Sequence, residues 1–433
     1  MAKWTHAAGY GGYGAVMGSK NLKAVAVKGT GPLPEVADLE SVKTLIDNVC
    51  KDNYENVLWR KWGTGGGGYN FGAKTSSEPI KNWQEEWHNE KSYGVDQFEN
   101  RVWIKPNWGD YGCPTNCLKI SCIRAGKYKD AITDIPDYEL QAFLGPNLGL
   151  FTPEENVYLA ALVDDLGLCG IQTGSVMAFA AELYQRGVLT ETDLDGIDLR
   201  LGNADAFAAL VKKIAVRYGI GNILADGTLR AAEKLSKLKG QDLTSYAIHV
   251  KGISVGAHGV RSGRDFSRTV GYACSVQGGD HSSQTDLPID GWGSEIWTIF
   301  NDSAILCIFN TFGISTEFKF DFYHAITGQT LTRKKWLNNG GMKTLQTQRA
   351  LLLLGGPDLR WNPTVDDDIP SRFYEPLPTG PYKGKAADRT SVKQKIEKYY
   401  EQAGWDKDGI PTKETLRRLN LDDVDEALEF VHK

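Results

Sequence analysis

The chain has 433 residues, 41% hydrophobic and 24% charged, a balance that builds the buried cores of a globular protein with two or three domains. A net charge of −5 argues against nucleic acid or an anionic membrane as partner, and no run approaches the roughly 18 to 20 apolar residues of a membrane span. Seven thinly spread cysteines form no disulfide framework, and the N-terminus lacks a charged segment leading into an apolar one, which points to a reducing, cytoplasmic compartment.

The first 30 residues are rich in glycine: Gly9, Gly11, Gly12, Gly14 and Gly18 precede Ala24-Val25-Ala26-Val27-Lys28-Gly29, which reads as a strand. Nucleotide fingerprints need strand, glycines and helix in that order, so this is no Rossmann or Walker signature. The piece reads instead as the last hairpin of a larger domain. A second run, Gly63-Thr64-Gly65-Gly66-Gly67-Gly68, reads as a mobile loop rather than a binding cradle.

From about residue 36 the pattern is helical. Thr152-Pro153-Glu154-Glu155 is a capping box with proline at the first helical position, and apolar residues from Val157 to Val163 carry that helix to Gly167. Val176, Phe179, Ala180 and Leu183 mark a second helix ending at Gly187, and Phe207, Leu210, Val211 and Ile214 a third before Gly219. Ile223 to Ala232 reads as one more helix. The polar, lysine-rich stretch Ser236 to Asp242 marks a domain boundary, and Val392 to Tyr400 is an amphipathic helix near the C-terminus.

Several groups along this framework carry chemistry. Cys113 and Cys117, in Asp110-Tyr-Gly-Cys113-Pro-Thr-Asn-Cys117, and the distant Cys307 form a broken ligand set of the kind that holds an iron–sulfur cluster. Free cysteines also pack as small apolar residues, and the spacing alone leaves both readings open. Asp164-Asp-Leu-Gly-Leu168-Cys169 and Asp302-Ser-Ala-Ile-Leu306-Cys307 share a layout, each with an aspartate five positions before a cysteine. Such turns can offer a carboxylate to a heterocycle rich in N–H donors, or simply end a helix at the surface. Glu139, in Pro136-Asp-Tyr-Glu139, and His281, in Gly278-Gly-Asp-His281, are a carboxylate and an imidazole in loop settings, suited to sharing a proton near neutral pH.

Taken in order, these motifs resemble the tungsten-containing aldehyde:ferredoxin oxidoreductase family. The resemblance adds Gly14-Ala-Val-Met-Gly-Ser-Lys-Asn-Leu-Lys23, Leu144-Gly145, Gly219-Ile-Gly221 with Leu224-Ala225, His249-Val-Lys-Gly252 and Gly409-Ile-Pro-Thr-Lys-Glu-Thr-Leu416, and so covers nearly the whole chain. It implies a mainly α fold of two helical domains, 31–240 and 241–433, preceded at 1–30 by a short β remnant, the C-terminal hairpin of a pterin-binding domain. It implies a tungsten bis-pterin (tungstopterin, with molybdenum as the alternative metal), Mg2+ bridging the pterin phosphates and a [4Fe-4S] cluster. By matched position, Glu139 is the acid/base and His281 orients the substrate carbonyl. Asp164, Leu168, Cys169, Asp302 and Leu306 anchor the pterins. His6, Ala7, Gly9, Tyr10, Gln277 and Ser283 line them, and Asp110, Cys113, Cys117 and Cys307 hold the cluster. The reaction implied is oxidation of a small aldehyde to a carboxylic acid, with electrons passed through the cluster to ferredoxin or a ferredoxin-like subunit.

The departures bear on these expectations. Asp110 stands where the family has the first cluster cysteine, with Cys122 as the other candidate for that corner. His6, Tyr10, Gln277 and Ser283 stand where the family places basic residues near phosphates, Cys169 where the first turn ends in aspartate, and Tyr158 where some members have a glutamate for an inter-subunit iron, which is therefore not expected. Only the final hairpin of the β-rich pterin-binding domain is present, so the expectation is that a separate β-rich subunit completes it or that the chain is a degenerate or fragmentary one. Two other readings stand beside the aldehyde reaction: a tungstopterin reductase of the benzoyl-coenzyme A reductase type, and a non-catalytic helical scaffold subunit. The Glu139 and His281 pair argues for the aldehyde reaction.

Overall fold

In the computed structural model the described residues are 7, 9–66, 72–134, 136–262, 270–291, 294–311, 315, 317–356, 359–429 and 431. Residues 24–29, expected as a strand, pair with no other strand among these. The glycine-rich stretch before them turns into the short helix Tyr13–Ser19 rather than a returning arm, so the ladder has nothing to pair with, and Val27 remains 90% exposed. The helix Leu39–Glu55 follows, capped by Asp38, which accepts from the Ser41 N–H at 3.0 Å. Of the glycine run, Gly63–Gly66 form a buried 3₁₀ turn rather than an open loop. At Gly63 (φ 52°) a Cβ would collide with the Cys117 carbonyl oxygen, so this position must be glycine for the two backbones to meet. Gly67 and Gly68 lie outside the described residues.

Helices Pro153–Asp165, Gly170–Gln185, Ala204–Ala215 and Thr228–Lys239 build one apolar core around Phe179, Phe207 and Leu210. Thr152 caps the first of these helices as expected, its Oγ1 accepting from the Glu155 N–H at 3.4 Å, while the Glu155 side chain reaches back to the Thr152 hydroxyl, which donates to Oε2 at 2.7 Å. Gly170–Gln185 is buried on nearly every side, which makes it the central helix. The helix expected over Ile223–Ala232 is two, Gly221–Leu224 and Thr228–Lys239, because Gly227 (φ 84°) takes a conformation no helix continues through. The lysine-rich stretch from Ser236 is the end of that second helix, which stops at Gly240 (φ 65°).

A second core gathers the hairpin His249–Val250/Ile253–Ser254, residues 270–276 and the helices Glu295–Ser303, Met342–Leu354 and Arg389–Ala403. Inside it Asp367 lies 2.8 Å from Lys251 Nζ and 2.6 Å from Arg349 Nη2, all three buried, and Tyr400 donates to it at 2.5 Å. Those two cations outweigh burial and hold the Asp367 carboxyl down at about 2. A three-stranded antiparallel sheet, Trp103–Trp108, Leu118–Cys122 and Ile132–Asp134, carries the cysteine loop between its first two strands. No single helix among the described residues is long and apolar enough to cross a membrane.

Candidate active site

Glu139 stands in the first turn of the helix Tyr138–Phe143, capped by Asp137, whose side chain accepts from the Leu140 N–H at 3.0 Å. Gly174 and Gly170 let the central helix press against Phe143 and Leu140, which fixes this short helix in place. The Glu139 carboxylate is buried and triply held. The Ala257 N–H donates to Oε2 at 2.8 Å, and His258 Nε2 and His281 Nε2 lie 2.9 and 3.5 Å from Oε1. Burial alone would raise its pKa. The charge of His281, the bond and charge of His258 and the Ala257 amide together outweigh burial and hold the carboxyl below its ordinary value.

The two imidazoles stack at 5.0 Å and 23°, with Tyr138 edge-on to His258 at 5.3 Å. Gly256 makes this possible, since a Cβ there would strike the His281 ring. His281 begins a short turn capped by Asp280, which accepts from the Ser282 N–H at 2.8 Å. His258 escaped the sequence reading. Its signal was present in Gly256-Ala-His258-Gly259, a second histidine flanked by glycine.

The two aspartate turns have the same backbone. The Leu168 N–H bonds to Val163 O at 3.0 Å and the Leu306 N–H to Asn301 O at 2.8 Å, each closing a helix through a left-handed residue, Gly167 (φ 70°) and Ile305 (φ 54°). Cys169, after the first turn, feels the charge of Glu139, and burial is what chiefly raises its thiol. Asp302, on the second turn, is pushed up by burial and then by Asp280, and no cation pairs with it among the described residues. Asp164 accepts a hydrogen bond from Thr133 Oγ1.

The three cysteines are brought together by polar residues the sequence reading did not mark. Thr115 Oγ1 donates to Asn53 Oδ1 at 2.8 Å and also contacts Asn310, and Asn53 Nδ2 donates to Asn310 O at 3.0 Å. This ties the Cys113/Cys117 loop to the turn bearing Cys307, with Cys113 Sγ 3.9 Å from Asn310 Oδ1. The Cys117 thiol is pushed up to about 11, by burial first and then by Cys307 and Cys113. Three thiols gathered from two segments, close enough to act on one another's charge, are a donor set that suits an iron–sulfur cluster. Asp110 is exposed at the start of the loop, where its carbonyl accepts from the Cys113 N–H at 3.0 Å. Cys122 is not a replacement ligand, because five residues of strand carry it about 17 Å along from Cys117.

A family model described as aldehyde ferredoxin oxidoreductase, domains 2 and 3, matches residues 41–421. The chain belongs to the aldehyde ferredoxin oxidoreductase family. It is 54% identical over its whole length to an aliphatic sulfonate oxidoreductase, WOR-like subunit, from Pyrococcus furiosus, of which it spans 69%. It is 31% identical to a tungsten-containing aldehyde ferredoxin oxidoreductase of the same organism, matched over 96% of this chain and 69% of that one. Among solved structures, the active site complex BamBC of benzoyl coenzyme A reductase, with 1,5-dienoyl-CoA, superposes with a TM-score of 0.73 at 20% identity, over 98% of this chain and 71% of that one. The mainly α architecture is therefore that of this oxidoreductase family.

Other residues expected at the pterins occupy varied settings in this member of the family. Gly9 packs on Cys169, and the Tyr10 hydroxyl donates to Ser254 O and Gly279 O at 2.6 and 2.9 Å, with its ring 5.8 Å from His281. Ser283 is buried and donates to Glu295 Oε1 at 3.3 Å. Both hydroxyls are thus spent inside the protein, so neither reaches for a phosphate. Ala7 is exposed and Gln277 half-buried; Leu168 is half-buried against the first core and Leu306 against a smaller cluster of Trp297, Phe300 and Phe320, and His6 lies outside the described residues.

Proposed function

We propose that this chain is the helical, redox-active part of a tungstopterin-dependent enzyme that oxidises an aldehyde to a carboxylic acid and passes the electrons through a [4Fe-4S] cluster to ferredoxin or a similar carrier. The observation that carries the reading is the buried Glu139 carboxylate, one oxygen of which meets two stacked imidazoles that help hold its pKa below the ordinary value. Cys113, Cys117 and Cys307, with Asp110 at the rim, would hold the cluster. Asp164 and Asp302 would receive the pterin ring nitrogens. When bound, tungstopterin supplies the two-electron chemistry.

The residues of this chain manage the protons. Conversion of an aldehyde and water to an acid releases two protons and two electrons. Glu139, ionised, is placed to take a proton from the water that adds to the carbonyl, and His258 and His281 steady its charge and pass protons outward. His281, the more exposed of the pair, faces the substrate carbonyl. No residue is assigned to Mg2+ or to pterin phosphates, since Tyr10 and Ser283 are already bonded within the fold. An ionised carboxylate held in this way has no use in a scaffold subunit.

A second substrate class is favoured by the 54% identical relative, an aliphatic sulfonate oxidoreductase subunit. An anaerobic assay with short aliphatic aldehydes, aromatic aldehydes and aliphatic sulfonates, read by viologen reduction, tests both. Aldehyde-dependent dye reduction is expected, and reduction with sulfonates alone would move the assignment to that class. No reduction with any of them by the metal-replete enzyme would overturn the proposal.

A covering partner belongs to the same reading. More than half of the exposed large apolar side chains among the described residues, from Tyr13 through Val25, Val27 and Ile46 to Val57, lie in the first 57 residues. Monomeric surfaces rarely leave so much apolar surface in water. We take the occupant to be a β-rich pterin-binding unit.

A further inference from the structure

The strand Leu118–Cys122 begins one residue after a cluster cysteine, and its alternation turns Lys119 inward, where the side chain is fully buried. Its ammonium donates to three backbone carbonyls: Cys117 O at 2.9 Å, Leu118 O at 3.2 Å and Arg60 O at 3.2 Å. Trp103 lies beneath it at 5.9 Å. All three N–H donors are satisfied, yet every acceptor is neutral, and among the described residues no carboxylate lies within ion-pair distance. Glu99, the acid that acts on it from further away, is taken up by Trp62 Nε1 at 3.1 Å and Lys61 at 3.1 Å.

Hydrogen bonds meet the geometric needs of a buried ammonium but leave its charge uncompensated, an arrangement that costs several kcal/mol in a fold. Proteins keep such a charge where something negative comes to meet it. A thiolate-ligated iron–sulfur cluster is net negative in either redox state, and the residue whose carbonyl Lys119 grips is one of its expected ligands. We infer that Lys119 is the built-in counter-cation of the cluster and sets its reduction potential. This rests on the cluster reading above and adds to it a residue no ligand motif contains. One added electron deepens the negative charge of the cluster, so a fixed cation beside it favours the reduced form and raises the potential.

The test is Lys119→Gln in the full-length protein, prepared anaerobically with its iron and titrated through dye mediators while the reduced cluster is followed by electron paramagnetic resonance. Gln keeps two donors for the carbonyls and removes only the charge. At the wild-type midpoint, the ratio of reduced to oxidised cluster should fall about tenfold, equivalent to 59 mV for one electron. An unmoved midpoint with iron content retained overturns the proposal. If the variant loses its iron, thermal melting of the two apo chains decides: an apo variant at least as stable as apo wild type shows that the charge was kept for the cluster, whereas a lower melting point shows a role in holding the strand and overturns the inference. A wild-type chain that takes up no iron would instead overturn the cluster reading itself.

Discussion

Glu139 shows how neighbours reverse what burial would do to a side chain. Burial alone would raise the pKa of this carboxyl; the two imidazoles and the Ala257 amide bring it below its ordinary value instead. Glu139→Gln should therefore abolish turnover and leave bound metal unchanged, as activity and elemental analysis would show together; full activity would remove Glu139 from its role. His258→Phe keeps a ring for Tyr138 and His281 but removes the hydrogen bond, so burial gains on Glu139 and its pKa rises. The acid limb of kcat/KM, expected below the usual carboxylate range in the wild type, should move to higher pH in this variant. The same depression carries a stability term that is present above the unfolded carboxyl pKa and lost as pH falls through the lower folded value. Glu139 and His281 were singled out in the sequence as a carboxylate and an imidazole and by the family resemblance, although the loop expected around Glu139 is the first turn of the helix Tyr138–Phe143. His258 was not, because a single histidine between glycines has no motif around it, and its role appears only when the loop at Gly256 folds onto the one at His281.

At the scale of elements, what matters is how segments far apart in the chain are fastened. Asn310 joins the Cys307 turn to the Cys113/Cys117 loop through Thr115 and Asn53, so Asn310→Ala should lower the iron retained after gel filtration while far-ultraviolet circular dichroism stays unchanged. In the second core, Asp367 is the anion between Lys251 and Arg349. Asp367→Asn leaves both cations buried beside a neutral group, which should cost about 3–5 kcal/mol and show as an early thermal transition. Helices with a capping box or a clear apolar period, such as Pro153–Asp165 and Arg389–Ala403, were legible because their signals are local. The break at Gly227 and the fate of residues 24–29 were not. A glycine inside a helical pattern signals only weakly, and a strand depends on a partner that its own residues do not specify.

The whole molecule joins two helical cores at a seam where Glu139, from the first half of the chain, meets His258 and His281, from the second. The cysteines join the same halves in the same way, since Cys113 and Cys117 come from one and Cys307 from the other. Resemblance across nearly the whole chain made this family legible from sequence, and the fold agrees with it. If the β-rich unit proposed as the cover of residues 13–57 binds there, changing Val25 and Val27 to lysine should abolish its co-purification. The most direct test of the account is elemental analysis of the anaerobically purified protein together with whatever co-purifies with it. Tungsten with about four irons per tungsten is the predicted result; an intact, folded preparation holding neither metal would contradict it.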